Sequence, residues 1–153
     1  MAKQDFNISV LTISDINNEI ISDLNELFPQ LTSYPPPSKK DLISILNSEN
    51  SQVFIAQEGI ENKKLIGCLI LILFRIPSGL RARIEDVVVD KAHRRKGIGR
   101  ALCKLAIRKA KAQKVRTIDL TSSFKRGCSA VNLYESLGFC KRKTGVFRID
   151  FSK

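Results

Sequence analysis

Seven consecutive residues, Arg94-Arg95-Lys96-Gly97-Ile98-Gly99-Arg100, combine four cations with two glycines. They follow a strand-like run, Ile84-Glu85-Asp86-Val87-Val88-Val89, and they open a helical pattern. Glycines at a strand-to-helix turn let main-chain N–H groups come close to a ligand. The first turn of a helix leaves four such donors without internal acceptors, and its dipole favours negative charge. Arginines at the same turn add charge-assisted hydrogen bonds to phosphate oxygens. The chemistry this serves is the holding of a pyrophosphate, and so of a nucleotide-bearing cosubstrate.

The remaining residue types narrow the field. The four cysteines, Cys68, Cys103, Cys128 and Cys140, are scattered, with no CxxC pair and one histidine in the chain. A zinc site needs closer pairs, so no metal is expected. His93 reads as a solvated loop histidine. Glu85 is a carboxylate in an apolar strand, where desolvation can raise a pKa toward neutrality. Strict alternation turns Asp86 to the opposite face, unless a bulge intervenes.

At 153 residues the chain has the length of one domain, spanning 1–153. Its 43% apolar and 27% charged content is that of a globular protein. The longest apolar run, residues 65–74, is far short of the roughly 20 needed to cross a bilayer. Met1-Ala2-Lys3-Gln4-Asp5 has no apolar signal region. The expectation is a cytoplasmic protein with no membrane partner. Charge is split: residues 1–64 carry a net −4 and residues 65–153 a net +15. Residues 91–116 hold eleven Lys/Arg and no acid. Such a field concentrates polyanions, either nucleic acid or a multiply phosphorylated cosubstrate.

The elements that must position these groups follow from periodicity. Residues 8–11 give a short strand. Asp15 can cap a helix running to about residue 28, with Ile16, Ile20, Leu24 and Leu27 at helical spacing. Three prolines, Pro35 to Pro37, make residues 31–38 a loop between helices. Ser38 with Asp41 forms an N-cap pattern ahead of a second helix. Residues 52–57, 65–74 and 82–89 read as strands. Residues 98–112 form a helix with Ile98, Leu102 and Leu105 inward and a basic stripe of Arg100, Lys104, Arg108 and Lys111. Residues 115–120 are a strand. Cys128 or Ser129 starts a helix that Gly138 ends, and 139–143 and 146–151 are closing strands. The fold class is α+β, a mixed sheet with helices on both faces, in the approximate order βααββββαβαββ.

With these residues in place, the chain resembles the GNAT-type, acetyl-CoA-dependent N-acetyltransferases. Their main motif, Gln/Arg-x-x-Gly-x-Gly/Ala at a helix start, stands here as Arg94-Arg95-Lys96-Gly97-Ile98-Gly99. Their second, Asn-x-x-Tyr-x-x-x-Gly-Phe, is similar to Asn132-Leu133-Tyr134-Glu135-Ser136-Leu137-Gly138-Phe139, where one residue rather than two separates the asparagine from the tyrosine. The strand 84–90 is also similar to that of the glucosamine-6-phosphate N-acetyltransferase branch. A dinucleotide fingerprint needs GxGxxG, and Leu102 stands where the third glycine belongs.

The resemblance implies direct acetyl transfer from acetyl-CoA to a primary amine of a small molecule or peptide. It implies that the main chain of Arg94, Arg95, Lys96, Gly97, Ile98, Gly99 and Arg100 holds the pyrophosphate. Val87, Val88 and Val89 would pair with the pantetheine arm, which Asn132 would also contact. Tyr134 would be the general acid at the sulfur, and Glu85 the base, directly or through water. A basic nucleic-acid-binding module is a second reading, but no Phe, Tyr or Trp lies between Lys91 and Arg116 to stack a base. A third is a non-catalytic acyl-CoA sensor on the same fold. The closing strands could also pair across a homodimer.

Overall fold

Period-2 and period-3.6 apolar patterns become a five-stranded sheet and four helices. The computed structural model describes residues 5–59, 63–123 and 128–151, without the side chains of Cys128 and Ser129. The N-terminal stretch of residues 1–4 read above lies outside the described residues. Two compact units result, Met1–Thr121 and Ser122–Lys153.

The first unit holds β1 (Phe6–Val10), α1 (Asn18–Leu27), α2 (Lys39–Asn47), β2 (Ser51–Glu58), β3 (Lys64–Ile76), β4 (Gly79–Val89), α3 (Ile98–Ala112) and β5 (Ile118–Leu120). The sheet runs β1-β2-β3-β4-β5. Every pair is antiparallel except β4 with β5, which are parallel. Three strands, not four, separate α2 from α3.

Local sequence sets the helix starts. Ser38 and Asp41 form a reciprocal capping box at α2. The cap of α1 is Asn17, whose Oδ1 accepts from the Ile20 amide at 2.8 Å, rather than Asp15. Asp15 instead closes a short 3-10 turn by accepting from the Thr12 amide at 2.8 Å. That local bond uses up the carboxylate that could have capped the helix.

The sheet is covered on both faces, as strand alternation allows. Val53, Ile55, Cys68 and Val88 pack with Ile20, Leu24, Leu27 and Leu42 from α1 and α2. On the other face lies α3, with Ile98, Leu102, Cys103, Ala106 and Ala110 buried. Leu105 is only half-buried. Gly67 lets α3 come close: a Cβ there would stand 3.3 Å from Ile98 and 3.4 Å from Leu102. Among the described residues no helix is long and apolar enough to cross a membrane.

The second unit is built on α4 (Cys128–Glu135). Beyond it Gly138 adopts φ +91°, and the Phe139 amide donates to the Tyr134 carbonyl at 3.1 Å. Residues 139–151 form no strand, against the expectation of two. Val146, Phe147, Ile149 and Phe151 stand exposed there. Alternation gives a segment strand propensity, but a strand exists only through the partner it pairs with.

Leu102 is fully buried between α3 and the sheet. Leu102→Ala should therefore cost about 2–5 kcal/mol, read as a lower urea midpoint with an unchanged slope. A loss below about 1 kcal/mol would contradict the tight seating of α3.

Candidate functional site

The site begins where the pairing of β4 becomes irregular. Ile70 faces Glu85 and Cys68 faces Val88, so Leu69 alone stands opposite both Asp86 and Val87. This is a β-bulge, with Asp86 at φ +50°. Strict alternation fails here, as the bulge proviso allows. The Cys68 thiol, on the face covered by α1 and α2, donates to the Asp86 carbonyl at 3.7 Å. Glu85 pairs with the Arg83 guanidinium two residues back on the same strand. Asp86 is exposed as a residue, yet local desolvation, and then the adjacent Glu85 charge, raises its carboxyl above the ordinary value. Two adjacent carboxyls, one ion-paired and one raised, therefore mark the bulge. Spacing along β4 cannot place the bulge, because a bulge is defined by the partner strand.

On its other side β4 has β5 as neighbour for only three residues. Ala82, Arg83 and Ile84 pair with Ile118, Asp119 and Leu120. Residues 85–89 then run on with that edge unpaired by any strand among the described residues. Val88 is in the core, while Val87 and Val89 are half-buried. A strand edge of this kind offers main-chain N–H and C=O groups to an extended ligand.

The strand then delivers the chain to α3. Arg94 turns back so that its Nε donates to the Val89 carbonyl at 3.1 Å. Arg95 has φ +68° and Gly97, the N-cap of α3, has φ +83°. A Cβ at Gly97 would meet nothing within 4 Å, so open space lies beside it. The first helical bond runs from the Ala101 amide to the Gly97 carbonyl at 3.0 Å. The amides of Ile98 and Gly99 therefore have no acceptor inside the helix. Ile98 itself is 1% exposed and anchors the turn in the core. Arg94, Arg95, Lys96 and Arg100 are exposed around it. This donor set, with room beside a glycine, fits a diphosphate.

Asn132 and Tyr134 lie on α4 in the second unit. Asn132 is exposed, and its carbonyl accepts from the Ser136 amide at 3.1 Å. Tyr134 is half-buried, and its ring meets Phe139 edge-on at 5.9 Å.

His93 is not a solvated loop residue. Its side chain is 17% exposed and bridges two carboxylates, Asp90 and Glu58. Asp90 is three residues back, but Glu58 is not legible from spacing, since it lies 35 residues away. Burial pushes the Cys68 thiol up to about 12, with the Asp86 charge adding to it, and burial pushes Cys103 up to about 11. Neither thiol supplies a thiolate nucleophile at neutral pH. Among the described residues no group of three or more His, Cys, Asp or Glu is arranged to hold a metal ion.

The profile of the acetyltransferase (GNAT) family matches residues 17–139. An acetyltransferase of Trypanosoma brucei is 27% identical, over 96% of this chain and 100% of that one, with a TM-score of 0.77. An aminoglycoside acetyltransferase from an uncultured soil metagenomic sample is 23% identical over 97% of each chain, with a TM-score of 0.79. Glucosamine-6-phosphate N-acetyltransferase from Arabidopsis thaliana is 20% identical over 94% of this chain and 97% of that one, with a TM-score of 0.77. The last two likenesses are of fold.

Asp86 yields a prediction with a definite sign. Its folded pKa lies above the ordinary 3.8, so its ionised form weakens the fold at neutral pH. Asp86→Asn keeps a side chain that tolerates positive φ. The variant should melt higher than the parent at neutral pH, and the gain should vanish as pH falls below about 3.8. A lower melting temperature at neutral pH would show that the charge is compensated.

Proposed function

The chain belongs to the acetyltransferase (GNAT) family, and from that premise we propose that it is an acetyl-CoA-dependent N-acetyltransferase acting by direct transfer on a primary amine. The observation that carries this reading is the end of β4. A strand edge, residues 85–89, that no strand among the described residues pairs leads through the 90–97 turn to a helix start with a left-handed glycine and first-turn amides. An extended arm ending in a diphosphate matches both parts. Acetyl-CoA, when bound, supplies an acetyl group already activated as a thioester.

The protein's own residues have four tasks. The amides of Arg95 to Arg100, with the side chains of Arg94, Arg95, Lys96 and Arg100, hold the diphosphate. The main chain of Val87, Val88 and Val89 holds the arm, and Asn132 adds a contact to it. An alkylammonium, with a pKa near 10.4, must lose a proton before it can attack. Glu85, kept in place by Arg83, accepts that proton directly or through water, with Asp86 as a second carboxyl beside it. The Tyr134 hydroxyl holds a proton for the departing sulfur, a role that rests on the motif from Asn132 to Phe139. Holding both reactants in line removes the need for a covalent enzyme intermediate.

The family match crosses the boundary between the two units, which supports one transferase domain over 1–153. Two proteins of the same fold are named for amino-sugar substrates, an aminoglycoside and glucosamine-6-phosphate. That supports a small-molecule amine as acceptor, with a peptide amine as the other class.

A turnover screen with acetyl-CoA over amino sugars, polyamines and peptides, read by released thiol, should find an acceptor. Tyr134→Phe should then lower kcat by about 10²–10⁴-fold with the cofactor affinity kept. Full activity in that variant would remove Tyr134 from the chemistry. Gly97→Val should weaken coenzyme A binding about tenfold, because a side chain there costs about 1–2 kcal/mol in backbone conformation. Wild-type affinity in calorimetry would remove the cradle.

A further inference from the structure

We propose that His93 is a positioning residue: held as the imidazolium between Asp90 and Glu58, it locks the turn that carries the diphosphate cradle. The inference rests on the cradle reading above and extends it to a residue outside the motif.

The geometry fixes the protonation state. His93 Nδ1 lies 2.6 Å from Asp90 Oδ2, and Nε2 lies 2.9 Å from Glu58 Oε2. Carboxylate oxygens only accept, so both ring nitrogens must donate, and only the charged ring has two N–H groups. A neutral ring would present a lone pair to one of these acids. The alternative, a neutral ring with the proton on an acid, is disfavoured at both ends. Burial works to raise the Asp90 carboxyl, but bonds from Gln30, His93 and the Ala92 amide outweigh it and hold it low. Glu58 has a side chain 40% exposed, where an ionised carboxylate keeps its water. At 2.6 and 2.9 Å no space is left for a metal ion between ring and acids.

The clamp joins three places. Glu58 ends β2. Asp90 follows β4, and its amide donates to the Ile66 carbonyl of β3 at 2.8 Å. Gln30, in the corner after α1, donates from Nε2 to Asp90 Oδ1 at 2.8 Å and accepts the Lys91 amide at 2.9 Å. The other charges nearby are Lys64, which feels Asp90 and pairs with Glu26 of α1 at 3.0 Å, and Asp23, whose carboxylate accepts the Leu65 amide. Lys91 and Arg94 on the turn itself are exposed. Losing the ring proton would set a lone pair against a carboxylate and open one side of the clamp. Arg94 to Gly97 follow directly, with two left-handed residues that need a fixed anchor. A ligand that prefers the ordered turn must, by linkage, also favour the charged ring.

The chain has one histidine, so a long-range ¹⁵N–¹H NMR spectrum shows a single imidazole. At neutral pH both ring nitrogens should carry protons, with and without added coenzyme A. His93→Gln should weaken coenzyme A in calorimetry by about fivefold or more and flatten the pH dependence of its affinity. Glu58→Gln, on the exposed side, should do the same to a smaller degree and serves if His93→Gln does not fold. A ring with one bare nitrogen at neutral pH overturns the clamp. So does wild-type affinity with an unchanged pH profile in a folded variant. Failure of the unmodified protein to bind coenzyme A at all sinks the proposed function itself, and the clamp's purpose with it.

Discussion

The parallel pairing of β4 with β5 lasts for three residues, and the site depends on that brevity. Main-chain N–H and C=O groups away from water require partners. Up to Ile84, β5 provides them; past Leu120 it does not, while β4 continues to Val89. The opposite edge of β4 stays bonded to β3, so the strand is rigid on one side and open on the other. The bulge at Asp86 and Val87 bends the strand at the place where its second neighbour ends. Gly67 on β3 completes the arrangement. Its missing side chain lets Ile98 and Leu102 seat on the sheet, which fixes the start of α3 beside the end of β4.

Signals confined to a few neighbouring residues were legible in the sequence. Residues 98–112 read as a helix from a glycine start and an apolar stripe, and α3 has those bounds. The Ser38 and Asp41 box is likewise local. Features that need a distant partner were not legible. The bulge exists only against Leu69 of β3. The engagement of His93 depends on Glu58 across two strands. Asp15 is a capping residue by type, yet its own turn with Thr12 claims it and Asn17 takes the helix. The alternating apolar residues after 145 show the converse, a strand-like pattern with no strand.

The uneven charge also acquires a physical meaning. Three of the nine acids in residues 1–64 gather at the end of the sheet that carries the basic turn. Asp23 holds the Leu65 amide at 2.7 Å, Glu26 meets Lys64, and Glu58 meets His93. An exposed pair such as Lys64 with Glu26 is worth little for stability. The half-buried bond from Asp23 fixes the start of β3, where one extra residue, Ile66, shifts the register against β2. Ile66 then accepts the Asp90 amide. The acids thus organise the frame, while Arg94, Arg95, Lys96 and Arg100 stand exposed at the turn.

Backbone strain follows the same division. Asp86 and Arg95 are two of three non-glycine residues at positive φ among the described residues, and both lie within ten residues of each other. Such conformations persist only where the surroundings over-determine them. Asp86 is held because β3 pairs on both sides of the bulge. Arg95 is held between the anchored 90–93 turn and Ile98, which is sunk in the core. The amides of Ile98 and Gly99 lack helical acceptors because they lie in the first turn of α3, and the packing of α3 against Gly67 holds that turn beside the strained backbone.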